Sequence, residues 1–91
     1  MNKLFSKSAF DEYTNWVLED KKVWKKINEL IKDIERNGPD EGSGQPEALK
    51  HGFSGYWSRR ITLGHRLIYK IVEDNNTIYI ISCRGHYDKI R

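Results

Sequence analysis

Three side chains in this sequence are of types that chemistry uses together: Glu47, Arg66 and His86, the last followed directly by Tyr87. A carboxylate, a histidine and an arginine can cleave RNA by metal-free transesterification. A base takes the proton of the 2′-hydroxyl, an acid protonates the leaving 5′-oxygen, and a cation meets the charge on the pentacoordinate phosphorus. Each residue also has a plainer reading, Glu47 as a solvated loop carboxylate, Arg66 as a surface charge and His86 as a tail residue. His51 and His65 lack ligand-like spacing, so packing or RNA contact is expected of them rather than metal binding. The single cysteine, Cys83, has no disulfide partner and no Cys-x-x-Cys neighbour, so neither a structural metal nor any other cofactor is expected.

The three candidates are far apart in the chain, and a fold must gather them. Lys3-Leu4-Phe5-Ser6 reads as a short first strand, and Ser8-Ala9-Phe10-Asp11 as the start of a helix, with Ser8 as cap. Phe10, Tyr13, Trp16 and Val17 then recur on one helical face. Glu19-Asp20 ends that pattern, and Asp20 can cap a second helix from Lys21, whose stripe is Val23, Ile27, Leu30 and Ile34 with Trp24 and Ile31 beside it. Asn37-Gly38-Pro39 stops it, and the near-absence of a linker predicts an antiparallel helical hairpin. Gly38 to Gly55 reads as one long functional loop. Three strand-like runs follow, Tyr56 to Thr62, Arg66 to Val72 and Thr77 to Arg84, the last two joined by a turn at Glu73-Asp74-Asn75-Asn76.

The expected fold is therefore α+β: a strand, two helices, then a mainly antiparallel sheet covered on one face by the helices. In the middle run Leu67, Tyr69 and Ile71 alternate with Arg66, Ile68 and Lys70, so one face can meet the helices while the other presents cations. Adjacent antiparallel strands set the start of one beside the end of the next, which places Arg66 near His86. Trp16 and Trp24 read as core, Trp57 as core in preference to a base-stacking platform, and Cys83 as a small buried side chain.

With 91 residues the chain has room for one domain, residues 1–91. At 37% apolar and 12% aromatic residues it can pack a core despite 32% charged residues and a mean hydropathy of −0.78. Charge is unevenly spread: residues 1–49 carry 8 basic and 10 acidic side chains, residues 50–91 carry 8 and 3. Between Lys50 and Val72 the cations Lys50, Arg59, Arg60, Arg66 and Lys70 are interleaved with Tyr56, Trp57 and Tyr69 and meet no acid. Such a mixture suits a phosphodiester chain with exposed bases, and equally a solvated strand surface over an aromatic core. Neither a membrane span nor the apolar region of a signal peptide is present, so a cytoplasmic protein is expected.

Four ordered motifs, Pro46-Glu47-Ala48-Leu49-Lys50-His51, Ser54-Gly55-Tyr56-Trp57-Ser58-Arg59-Arg60-Ile61, His65-Arg66-Leu67-Ile68-Tyr69 and Cys83-Arg84-Gly85-His86-Tyr87, together with the helical segment Lys26 to Asp33, resemble the YoeB (Txe) toxins of the RelE/ParE superfamily. The resemblance spans nearly the whole chain. It implies the toxin of a bacterial type II toxin–antitoxin pair, an endoribonuclease that enters the A site of the 70S ribosome and cuts messenger RNA without a metal. By the same resemblance Glu47 is the general base, His86 the general acid, Arg66 the transition-state cation and Tyr87 the residue that orients substrate. Lys50, Arg59 and Arg60 are the expected RNA or ribosome contacts. The implied partner is a YefM-like antitoxin, with operator DNA bound only through the antitoxin complex and a homodimer left open. Relatives are often acidic at the two positions before His65, which here are Leu63-Gly64, and this chain continues past Tyr87 as Asp88-Lys89-Ile90-Arg91. The competing reading is a non-catalytic toxin of the same fold that poisons another target such as gyrase. A DNA-binding protein is disfavoured because no recognition helix is apparent and the basic region lies on strands.

Overall fold

The computed structural model describes residues 1–86, so Tyr87 and the tail beyond it lie outside the described residues. In chain order the elements are β1 (Asn2–Phe5), α1 (Lys7–Glu19), α2 (Lys21–Asn37), β2 (Glu47–Ala48), β3 (Trp57–Thr62), β4 (His65–Val72) and β5 (Thr77–Ser82). This is the expected α+β order. The first helix starts earlier than Ser8, because Ser6 leaves β1 already extended and its side chain accepts the Ala9 N–H at 3.1 Å. Asp20 serves both helices. Its N–H closes α1 on the Trp16 carbonyl and its carboxylate caps α2 through the Lys22 N–H, so the hairpin needs no linker.

The buried face of α2 is Val23, Ile27, Leu30, Ile31 and Ile34, and it meets Leu67 and Tyr69 of β4 and Ile78 and Ile80 of β5. Full burial of each large aliphatic side chain stabilises by about 1.5–3 kcal/mol. On α1 the buried residues are Ala9 and Trp16, two turns apart. Phe10, one position round from Ala9, is turned to the rim and packs edge-on against Phe5 instead of filling the core.

The sheet order is β1-β5-β4-β3-β2. β1 runs parallel to β5, with Asn2 opposite Thr77 and Phe5 opposite Ile80, and the other three pairings are antiparallel. The stretch from Gly38 to Gly55 is not all loop. It holds β2, whose Glu47 pairs with Ser58, and a 3₁₀ turn at His51–Phe53. A two-residue strand is too short to show alternation. The β4–β5 turn falls where expected, with Asn76 in the left-handed conformation. On the face away from the helices Ile68 is also buried, so this face is not purely cationic.

Arg59 corrects the expectation that it contacts RNA, because its exposure is 0%. Successive strand residues point to opposite faces, so with Arg60 outside, Arg59 must turn toward α2. There it meets Asp33 Oδ2 at 2.5 Å, the Tyr69 hydroxyl at 2.9 Å, and the carbonyls of Gly38, Glu41 and Ser43 at 2.8, 2.6 and 3.0 Å. The Tyr69 hydroxyl donates onward to the Pro39 carbonyl at 2.6 Å, and burial pushes its pKa up. Asp33 also accepts the Ser43 N–H at 2.9 Å; that bond, then Arg59, holds its carboxyl below the usual range. Gly42 passes so close that a Cβ there would lie 2.0 Å from Asp33 Oδ2, at a φ of +111° that side chains also resist.

Arg59 and Arg60 should therefore respond in opposite ways. Arg59→Met leaves Asp33 and three carbonyls without their cation, and should cost about 3–5 kcal/mol in urea unfolding. Arg60→Gln should stay within about 0.5 kcal/mol of the unmodified chain.

Candidate active site

Sheet register gathers the outward residues. Glu47 lies opposite Ser58, Arg60 lies opposite Arg66, and Ser58 and Arg60 are two apart on β3, so Glu47, Arg60 and Arg66 share the face turned from the helices. Strand spacing and rise put the Glu47 and Arg66 Cα atoms about 12 Å apart. Lys50 is exposed three residues beyond Glu47. Among the described residues Glu47, Lys50, Arg60 and Arg66 form no ion pair.

Two arginines directly across a strand pair repel one another, which an anion between them would relieve. One terminal nitrogen of Arg66 is held by the carbonyls of Thr62, Leu63 and His65, at 2.9, 3.2 and 3.1 Å. Backbone carbonyls of the β3–β4 turn thus orient the guanidinium at a place where Leu63-Gly64 supply no side-chain carboxylate. Further along the same face Lys70 stands over the rings of Tyr56 and Tyr79, at 5.0 and 5.8 Å from their centroids. Trp57 points the other way and packs, half-buried, against the core as expected.

The expected proximity of Arg66 and His86 has a direct structural basis. β5 ends at Ser82, two residues before the expected Arg84, but the chain keeps its place beside β4, and the Arg66 N–H donates to the Gly85 carbonyl at 2.9 Å. His86 follows immediately and is exposed. Cys83, at the root of this segment, is buried; its carbonyl accepts the Trp16 indole N–H at 3.0 Å and its N–H donates to the Glu12 carboxylate at 2.8 Å. Sequence spacing gives no sign of these two anchors, because they join residues about seventy positions apart. Arg59's role did have a signal: neighbours in a strand cannot both face RNA. Tyr87, assigned to substrate orientation by resemblance, lies outside the described residues. Among the described residues no cluster of His, Cys, Asp and Glu could hold a metal ion, and no helix is long and apolar enough to cross a membrane.

A helical hairpin on one face of a five-stranded mixed sheet, with a carboxylate and cations on the other that form no ion pair among the described residues, defines a RelE-like α+β fold. Residues 5–87 match the profile of the YoeB-like toxin of bacterial type II toxin–antitoxin systems. The chain is 51% identical over 87 residues to Toxin YoeB of Escherichia coli strain K12, covering 96% of this chain and all of that one. Among solved structures it is similar to the YoeB–YefM toxin–antitoxin heterotetramer of Staphylococcus aureus, at 50% identity, a TM-score of 0.89 and coverage of 96% and 98%. The YoeB dimer of the same organism is 52% identical with a TM-score of 0.88, again covering 96% and 98%. The chain belongs to the YoeB family and is a toxin of a type II toxin–antitoxin system.

Burial, then the nearby Glu12 carboxylate, pushes the Cys83 thiol up to about 12, against the pull of Arg84. An alkylating reagent at pH 8 should therefore leave the native chain unmodified and label it only on unfolding. Because the thiol's proton is held more tightly in the fold, its contribution to stability is complete below about 8.5, the unfolded value. It should be lost as pH rises through about 12, as alkaline unfolding of the chain beside Cys83→Ala would show.

Proposed function

We propose that this toxin is a ribosome-dependent endoribonuclease that cuts messenger RNA in the A site of the 70S ribosome by metal-independent attack of the 2′-hydroxyl. The observation that carries this reading is the register that sets Glu47 and Arg66 on one open face, with the Arg66–Gly85 backbone bond lying one residue before His86. In this mechanism Glu47 takes the 2′-hydroxyl proton, and O2′ attacks the phosphorus. Arg66 meets the charge that builds on the non-bridging oxygens, and His86 delivers a proton to the departing 5′-oxygen. The products are a 2′,3′-cyclic phosphate and a 5′-hydroxyl. Tyr87 is assigned to orient substrate on family resemblance alone. Lys50 and Arg60, both exposed and unpaired among the described residues, hold the RNA or the ribosome.

In the cytoplasm such a toxin needs restraint, and the Staphylococcus aureus relative is seen both with YefM and as a dimer. A YefM-like antitoxin is accordingly the partner we assign, with operator DNA reached through that complex and self-association into a homodimer.

Glu47→Ala and His86→Ala should each slow single-turnover cleavage on programmed ribosomes by roughly 10²–10⁴, or about 3–5 kcal/mol, with the fold intact. A 2′-deoxy nucleotide at the scissile position should block the reaction, and the unmodified message should end in a cyclic or 3′-phosphate. A 5′-phosphate product would refute attack by the 2′-hydroxyl.

With Arg59 inside the fold, three cations remain to neutralise phosphates: Lys50, Arg60 and Arg66. Binding to a single-stranded RNA fragment should show a log–log salt slope of about −2, at ~0.7 per phosphate. Lys50→Gln or Arg60→Gln should flatten it by ~0.7. Arg66→Gln should depress cleavage far more than binding, since its charge acts mainly in the transition state.

A further inference from the structure

The segment that ends in His86 is tied down by a side chain outside the chemistry. The Gly85 N–H donates to His65 Nδ1 at 2.9 Å, one residue before His86. The His65 ring stands edge-on to Trp16 with centroids 4.9 Å apart. Trp16 is itself anchored to the Cys83 carbonyl, and the Arg84 guanidinium lies 3.9 Å from its ring centroid while pairing with Glu19. Two neighbours on β4 thus grip the two sides of Gly85: the backbone N–H of Arg66 takes its carbonyl and the imidazole of His65 takes its N–H.

A backbone N–H can only donate, so the nitrogen that accepts it carries no proton, and His65 is the neutral tautomer protonated at Nε2. We propose that neutral His65 is a positioning residue: its bare Nδ1 fixes Gly85 and so sets His86 against Arg66, and protonating His65 uncouples them. This rests on the reading of His86 as the acid. In the imidazolium both ring nitrogens are donors, so Nδ1–H would confront Gly85 N–H and the bond would be lost. The anchors at Cys83 lie upstream of that break and would keep β5 in place. Among the described residues, release is therefore confined to Gly85 and His86.

Among the described residues, the elements packed about His65 carry Glu12 and Glu19 on α1, Arg60 on β3, Arg66 on β4, and Arg84 and His86 on the segment itself; Glu12 is engaged by the Cys83 N–H and Glu19 by Arg84.

The test has two arms. In the unmodified free toxin, ¹⁵N spectra should show His65 Nδ1 as a bare nitrogen, and the Gly85 and His86 amide signals should shift together as His65 titrates. On ribosomes, His65→Phe keeps a ring against Trp16 but offers no acceptor. It should slow single-turnover cleavage by roughly 10–10²-fold with toxin–ribosome affinity unchanged. His65→Asn places an oxygen near the site of Nδ1 and does not titrate, so it should restore most of the rate and flatten the acid side of the pH profile. A Gly85 amide that ignores the titration of His65, or a His65→Phe chain that cleaves at the normal rate, would overturn the proposal. The amide measurement does not depend on cleavage. If His86→Ala cleaves normally, the acid assignment fails on its own, and the contact between His65 and Gly85 is still judged by the spectra.

Discussion

Arg59 is buried to no visible surface, yet five hydrogen bonds surround its guanidinium, and what they join explains much of the architecture. The chain between Gly38 and Gly44 is glycine, proline, serine and acids, with no apolar side chain to bury. Hydrophobic packing cannot hold such a segment. Its carbonyls converge on Arg59 instead, while Asp33 secures it from the helix and Tyr69 from the sheet. Once Gly44 is fixed, its carbonyl receives the Arg60 N–H at 2.7 Å, and the chain arrives at Glu47 already in register with β3. A buried cation costs much desolvation, and this one is offset only because each of its five N–H donors is matched.

The strand that carries Arg59 inward carries Arg60 outward, so two adjacent residues of the same type take opposite tasks. The inward face is saturated with partners. On the outward face Glu47, Lys50, Arg60 and Arg66 form no ion pair among the described residues, and Arg60 and Arg66 are set directly across from one another. That juxtaposition is unfavourable in the isolated chain and becomes favourable when a phosphate or an acidic side chain enters.

The helices were readable from sequence because their signals are local and repeated: the stripe from Val23 to Ile34, and a doubly used Asp20. The adjacency of Arg66 and the residue before His86 was also readable, since antiparallel pairing requires it. β2 was not, because two residues carry no period. Arg59 was misassigned because composition counts cations without asking which way they point, although strand alternation would have separated it from Arg60. The hold of Trp16, Glu12 and His65 on the last described residues had no sequence signal, as each contact depends on tertiary closure. Roles for the individual side chains came from family resemblance, and geometry alone supplies only their shared face.

The parallel pairing of β1 with β5 ties the order of synthesis to the appearance of a complete site. Residues 2–5 leave the ribosome first but have no sheet neighbour until residues 77–80 exist. The segment that places His86 is made later still. A chain that stops between β4 and β5 thus has an unpaired first strand and an uncovered β4 edge. Folding of this sheet is therefore a closure between the two ends of the described chain, and β1 can be laid down only after β5 has been made.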